Sequence, residues 1–107
     1  MPRYEIHLPI KFNDGSPVPD GLFLEVREEL IEKFGGFTSS PPGSPAVGWW
    51  KDPNDPTGIV YRDDIYIYWV TTIQDEDEFF KEYKKVLAVR FKQVEVWIER
   101  LETRQIE

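Results

Sequence analysis

The chain contains no cysteine and only one histidine and one methionine among its 107 residues. Without cysteine it can form neither a disulfide nor a thiolate metal site, and it has no cysteine nucleophile. The sequence also lacks the HExxH and GxSxG motifs and the glycine patterns that bind nucleotide phosphates. These absences predict a protein with no metal and no cofactor, and they leave its redox compartment open.

Basic residues are also scarce, with 13 lysines and arginines against 20 aspartates and glutamates and a formal charge of −7. An acidic chain repels a phosphate backbone unless its basic residues cluster. Lys81 and Lys85, in the second predicted helix, alternate with Glu78 and Glu82, which is typical of a solvated helix face. Nucleic acid is therefore disfavoured as a partner.

A long apolar run is missing as well. The first twelve residues, MPRYEIHLPIKF, alternate polar and apolar residues and contain neither a signal-peptide core nor a membrane span. We therefore expect a cytoplasmic protein that does not enter a membrane. With 40% hydrophobic and 15% aromatic residues the chain has the composition of a folded protein, and its length predicts a single domain over residues 1–107.

The spacing of apolar residues predicts six elements. Alternation predicts strands over residues 4–12 and 94–99, and helical spacing predicts one helix from Asp20 to Phe34 and another after a cap at Asp75. Residues 37–51, rich in proline and glycine, predict an interrupted edge strand whose paired part is 46–51. A loop at 51–58 and a long strand at 59–73 follow, and residues 102–107 are expected to fray.

The long third strand has no clean polar side, because its segment YRDDIYIYWVTT places apolar residues on both faces. The helix-covered face is predicted to take Tyr4, Ile6, Leu8, Ile10 and Phe12 from strand one, Ile65, Ile67 and Trp69 from strand three, and Val94, Val96 and Ile98 from strand four. The open face is predicted to form a ligand or interface surface from Tyr66, Tyr68, Val70, Trp97 and one tryptophan of the pair Trp49 and Trp50. Exposed aromatic side chains in such numbers usually mark an interaction site.

The order β-α-β-β-α-β predicts an α+β fold, a ferredoxin-like two-layer sandwich with both helices on one face of a four-stranded antiparallel sheet. In element order and size the chain resembles the dimeric α+β barrel group, ferredoxin-like proteins that pair through their open sheet faces. That group includes small monooxygenases, isomerases and many uncharacterised bacterial proteins. The resemblance covers nearly the whole chain, rests on topology, and implies a homodimer whose paired sheets enclose a space for a small organic ligand.

His7 is the one candidate general base. On the predicted open face Arg62 and Asp64 could approach it, and a histidine beside a carboxylate can abstract a proton while an arginine steadies negative charge. A lone histidine on a strand is also common as a packed or surface residue. The loop DPNDPTG does not have the ligand spacing of a calcium loop, because Pro56 stands at the fifth position, and we interpret it as a proline-rich turn.

Two functions remain open. The first is a non-catalytic module that forms a homodimer, or binds a small ligand, through the aromatic open face. The alternative is a small cofactor-independent enzyme, an isomerase or monooxygenase, acting in a pocket between paired sheets with His7 and Arg62 at its base. A pocket with converging polar groups would favour the enzyme, and a closely packed interface would favour the module.

Overall fold

The computed structural model describes residues 1–41 and 43–107, so Pro42, which belongs to the predicted proline-rich interruption, lies outside the described residues. The described part of the chain forms seven elements: β1 (Pro2–Pro9), α1 (Asp20–Phe34), β2 (Thr38–Ser39), β3 (Ala46–Lys51), β4 (Val60–Thr71), α2 (Asp77–Arg90) and β5 (Trp97–Glu102). The predicted α+β class is confirmed. Neither described helix is both long enough and apolar enough to cross a membrane.

The strands form one open antiparallel sheet with β1 and β4 at its centre. β1 lies between β4 and β5, so that Ile6 is opposite Tyr68 on one side and opposite Ile98 on the other. Both β2 and β3 pair with the other edge of β4, β2 along its C-terminal half and β3 along its N-terminal half. In the described part of the chain the sheet therefore has five strands where the sequence predicted four, because two short strands, β2 and β3, take the place of the single interrupted strand.

Both helices pack on the same side of the sheet. The core contains Tyr4, Ile6, Leu8, Val18, Phe23, Val26, Leu30, Tyr68, Val70, Phe80, Tyr83, Leu87, Phe91 and Val96. Along β1 buried and half-buried residues alternate, which confirms the predicted period of two. The predicted end of α1 is also confirmed, since Gly35 is left-handed at φ 82° and its N–H donates to the Ile31 carbonyl. Arg90 of α2 ties the two helices together through Glu25 and Glu29 of α1.

The predicted assignment of the two faces of β4 is wrong. Tyr68 and Val70 are only 4% and 5% exposed, and Tyr66 packs its ring edge-on against Phe23 of α1 at 5.3 Å. These three residues lie under the helices, not on the open face. The residues predicted to be under the helices lie on the opposite side: Ile65, Ile67 and Trp69.

The register between β1 and β4 explains this difference. Residues directly opposite each other on paired strands share a face, and Tyr68 is opposite the buried Ile6. A shift of one residue would exchange the faces completely, and a strand that is apolar on both sides does not specify which register is correct. A tyrosine can lie in the core when its hydroxyl group reaches the edge of the core and forms a hydrogen bond there. The Tyr66 hydroxyl accepts a hydrogen bond from the Gly43 N–H at 3.2 Å.

The C-terminal strand begins and ends later than predicted. Val96 is buried and Ile98 is packed against the core, as predicted, but Val94 is fully exposed and precedes β5. The expected frayed tail is wrong for its first two residues, because Glu102 belongs to β5 and the Thr103 N–H donates to the Met1 carbonyl at 2.8 Å. Pairing with β1 therefore holds this part of the chain.

Tyr4 connects the sheet to the start of α2. Its hydroxyl donates to the Asp77 carboxylate at 2.6 Å and accepts the Glu76 N–H at 2.9 Å, while Arg100 of β5 binds the same carboxylate at 2.8 Å. Burial, with the bond to Asp77, raises the pKa of Tyr4 to about 12. Burial also raises the pKa of Tyr68 and that of Tyr83 above the ordinary tyrosine value.

We therefore expect the protein to lose stability as the pH rises above about 10, the ordinary pKa of tyrosine. The unfolded chain then releases phenolic protons that the folded chain retains, so the unfolded state binds fewer protons and the free energy of unfolding falls with increasing pH. Urea unfolding at a series of alkaline pH values measures this slope. In Tyr4→Phe the slope should be shallower up to a pH of about 12, and an unchanged slope would show that Tyr4 does not contribute.

Candidate functional site: the open sheet face

The side of the sheet opposite the helices is here called the open face. Strand alternation places on it Arg3, Glu5, His7 and Pro9 of β1, Ile65, Ile67, Trp69 and Thr71 of β4, and Trp97, Glu99 and Leu101 of β5. Among the described residues, both helices pack on the other side. The open face is therefore the surface of the sheet that the described part of the chain leaves uncovered.

An apolar strip runs along the middle of this face. It consists of the half-buried side chains of Ile65, Ile67 and Trp69 on the central strand β4. Arg3 lies over the Trp69 ring at 4.6 Å, and Trp97 of β5, which is 55% exposed, flanks the strip from the far side of β1. Of the residues predicted for this surface, Trp97 lies on the open face, and none of the three from β4 does.

The two remaining tryptophans belong to a hairpin formed by β3 and the first half of β4. The register of β1 with β4 ends at Ile65, next to a hydrogen bond from the Ile10 N–H to the Asp64 carbonyl at 3.4 Å, so residues 60–63 of β4 are paired by β3 alone. Trp50 stacks on Tyr61 at 4.8 Å and its indole N–H donates to Asp63 at 2.8 Å. Trp49 lies on the opposite side of the hairpin beneath Arg62. One tryptophan of the pair therefore points to the side of the open face, as predicted.

A groove of about 1020 Å³ lies where the hairpin extends beyond the ends of β1 and β5. Its lining includes His7 and Trp97 from the open face and Trp50, Asp63 and Arg62 from the hairpin. A volume of this order matches the upper end of the range for small-molecule sites. About half of its lining residues are polar or charged and the rest are apolar or aromatic, a composition that suits a polar organic molecule.

His7, Arg62 and Asp64 all line this groove, but the predicted contact of His7 with the other two does not form. Arg62 and Asp64 bind each other, with Nε 2.9 Å from Oδ1, and alternation places them on the other side of β4. His7 lies opposite Ile67 and Trp97. The prediction was wrong because it depended on the reversed face assignment of β4, which would have brought the even-numbered residues of that strand towards His7.

The structure instead brings His7 together with two glutamates. Its Nε2 is 3.9 Å from Oε1 of Glu99, and one ligand atom from each of Glu5, His7 and Glu99 lies within 4.8 Å of the others. Arg3 contacts Glu5 at 3.0 Å, and the Trp97 indole N–H donates to Glu99 at 3.3 Å. Glu5 and His7 are two residues apart on a predicted strand, so their shared face was predictable, whereas Glu99 joins them through a register that no local pattern reveals.

Comparison with known proteins adds no further assignment. No known protein family model matches the chain, and no curated protein shows significant similarity to it. The resemblance to the dimeric α+β barrel group therefore stays a prediction from topology. The proposed function is based on the residues of the open face.

Proposed function

We propose that the chain is a ferredoxin-like domain that forms a homodimer through its open face and has no catalytic activity of its own. The fold assignment is supported by the position of β2 and β3. Both pair with the same edge of β4, and together they take the position of a single strand in the sheet. Counted as one strand, they reduce the element order to β-α-β-β-α-β. The first and third strands of that order, β1 and β4, are then central.

The main support for a homodimer is the uncovered apolar strip. A sheet with an apolar face is stable when a second layer covers that face. The helices provide this layer on one side only, so Ile65, Ile67 and Trp69 remain accessible beside the exposed Trp97. A contiguous patch of this kind usually marks an interaction site.

The charges around the strip favour a second copy of the same chain. Although the chain carries a formal charge of −7, the open face has charges of both signs, and Arg3 already binds Glu5 within the chain. Two such faces can therefore meet without the strong like-charge repulsion that the net charge suggests. The strip lies on a central strand with charged residues around it, which is the arrangement of an apolar interface core and a polar rim.

The groove would give the dimer room for a small organic ligand. Trp50 and Trp97 provide apolar walls, and Asp63 and His7 provide polar groups. The groove also contains His7, Arg62 and Asp64, the residues of the enzyme alternative. An isomerase or monooxygenase activity has less support than pairing, because Arg62 and Asp64 bind each other instead of His7. The proposed role is therefore pairing, with ligand binding as a property of the space that pairing leaves.

The solution mass tests the proposal. We expect light scattering to give twice the chain mass for the wild type, and the monomer mass for Ile67→Glu at the same concentration. Two-fold symmetry brings the same face of both chains together, so each dimer would bury two unpaired carboxylates. At roughly 3 kcal/mol or more, this would weaken association by about 100-fold or more.

The matched control is Ile73→Glu. Ile73 follows β4 and is 87% exposed, so the same substitution there should leave the dimer intact. A monomeric wild type would overturn the proposal. Loss of the dimer in both variants would show that added negative charge, and not the open face, determines the association.

A further inference from the structure

We propose that Glu5, His7 and Glu99 form a binding site for a divalent transition-metal ion such as Zn²⁺. The three residues lie together on the open face, with one ligand atom of each within 4.8 Å of the others. This inference departs from the prediction made from the sequence, which expected no metal because it lacked a recognisable ligand motif. The cluster joins the first strand to the last, so it exists only in the folded chain.

The sheet register places two carboxylates directly opposite each other. Glu5 of β1 and Glu99 of β5 are cross-strand partners, and like charges at directly opposite positions destabilise a sheet. Arg3 offsets the charge of one of these carboxylates, because its guanidinium lies 3.0 Å from Oε2 of Glu5. A divalent cation between the two carboxylates would convert the remaining repulsion into attraction.

His7 provides the ligand atom that suits a transition metal. Its Nε2 is buried and has no hydrogen-bond partner among the described residues. A buried polar atom without a partner is uncommon, because it loses its hydration without compensation. Coordination of a metal by the neutral imidazole would satisfy this nitrogen.

The ligand types and separations fit zinc. Bonds of about 2.0–2.2 Å from Zn²⁺ to imidazole nitrogen and carboxylate oxygen place tetrahedral ligand atoms roughly 3.3 Å apart. His7 Nε2 is 3.9 Å from Glu99 Oε1, and all three ligand atoms lie within 4.8 Å of one another, so rotation of the two glutamate side chains is needed to reach the zinc separations. Three protein ligands leave a fourth position for water or a ligand, as in zinc sites that bind exchangeable groups.

Neighbouring side chains already contact both carboxylates. Arg3 forms an ion pair with Oε2 of Glu5, and the Trp97 indole N–H donates to Oε2 of Glu99, which leaves Oε1 of Glu99 towards His7. Such donors orient the ligands of metal sites and typically change metal affinity by about 10- to 100-fold. Trp97 is thus a positioning residue in this proposal.

The site does not depend on the homodimer, because one chain supplies all three ligands. Titration of the untagged full chain with Zn²⁺ by calorimetry, and with Co²⁺ by visible absorption, should show one ion bound per chain. Since His7 is the only histidine and cysteine is absent, His7→Ala should abolish this binding. The mass of each sample, measured by light scattering, separates failure of the metal proposal from failure of pairing.

Three further variants locate the site. Glu99→Gln should weaken Zn²⁺ binding by at least about 10-fold, and Trp97→Phe should weaken it by about 10-fold or more while leaving the stoichiometry unchanged. Glu82→Gln on the exposed surface of α2 is the control and should bind like the wild type. Circular dichroism of each variant verifies that it is folded.

Two results would overturn the proposal. The first is a wild type that binds neither Zn²⁺ nor Co²⁺, which would mean that Glu5, His7 and Glu99 are neighbours without being metal ligands. The second is a folded His7→Ala or Glu99→Gln variant with undiminished affinity, which would place any bound ion elsewhere on this acidic chain.

Discussion

Val70→Glu is expected to unfold the protein, whereas the same substitution at Ile67, three residues earlier on β4, should leave it folded. Val70 is 5% exposed and lies in the core beneath the helices. An unpaired carboxylate at such a position costs about 3–5 kcal/mol. That is a large part of the roughly 5–15 kcal/mol that stabilises a typical domain. At Ile67 the added carboxylate points to the open face, where water can reach it in the monomer.

Far-UV circular dichroism and urea unfolding of both variants measure this difference. The comparison belongs at low protein concentration, so that loss of the proposed dimer does not contribute to the result at Ile67. The opposite outcome, with a folded Val70→Glu and an unfolded Ile67→Glu, would mean that the register of β4 against β1 is shifted by one residue. The candidate site would then have to be rebuilt around the even-numbered residues of β4.

Phe91→Ala is expected to lower the free energy of unfolding by about 3–5 kcal/mol, the usual cost of truncating a fully buried phenylalanine. Phe91 is 0% exposed at the end of α2, and its ring lies 5.5 Å from that of Phe23 on α1. Its removal therefore leaves a cavity where both helices meet. The loss of that ring weakens the packing of both helices on the sheet.

Val89→Ala on the same helix is the control. Val89 is 81% exposed, and its truncation should change stability by less than about 0.5 kcal/mol. Urea unfolding with a common m-value gives both differences directly. If Phe91→Ala lowered the free energy of unfolding by less than about 1 kcal/mol, this would contradict the burial of Phe91 in the core.

The sequence predicts those elements in which only one face is apolar. In β1 the polar residues Glu5 and His7 alternate with apolar residues, and α1 is followed by Gly35, so the side-chain pattern and the backbone both favour the observed structure. β4 lacks such a distinction, since isoleucine and tyrosine are both acceptable in a core. Only the pairing with β1 decides which of them is buried, and that pairing joins residues about sixty positions apart.

The candidate site likewise has some features that the sequence predicts and others that it does not. The exposure of Trp97 and the sharing of one face by Glu5 and His7 follow from alternation within a strand. The approach of Glu99 to His7 and the mutual binding of Arg62 and Asp64 follow from register and from strand faces. Both contacts depend on pairing between strands that are distant in the sequence. The individual residues of the site could therefore be predicted more readily than the contacts between them.

β1 is synthesised well before either of the strands that pair with it. Its partners begin at Val60 and Trp97, so on a growing chain β1 stays unpaired until β4 has been made. Among the described strands, only β3 and β4 pair as neighbours along the chain with no helix between them. Topologies dominated by such distant contacts fold slowly and expose strand edges while they do so. The central position that stabilises β1 in the finished sheet thus makes it the segment most open to pairing with another nascent chain.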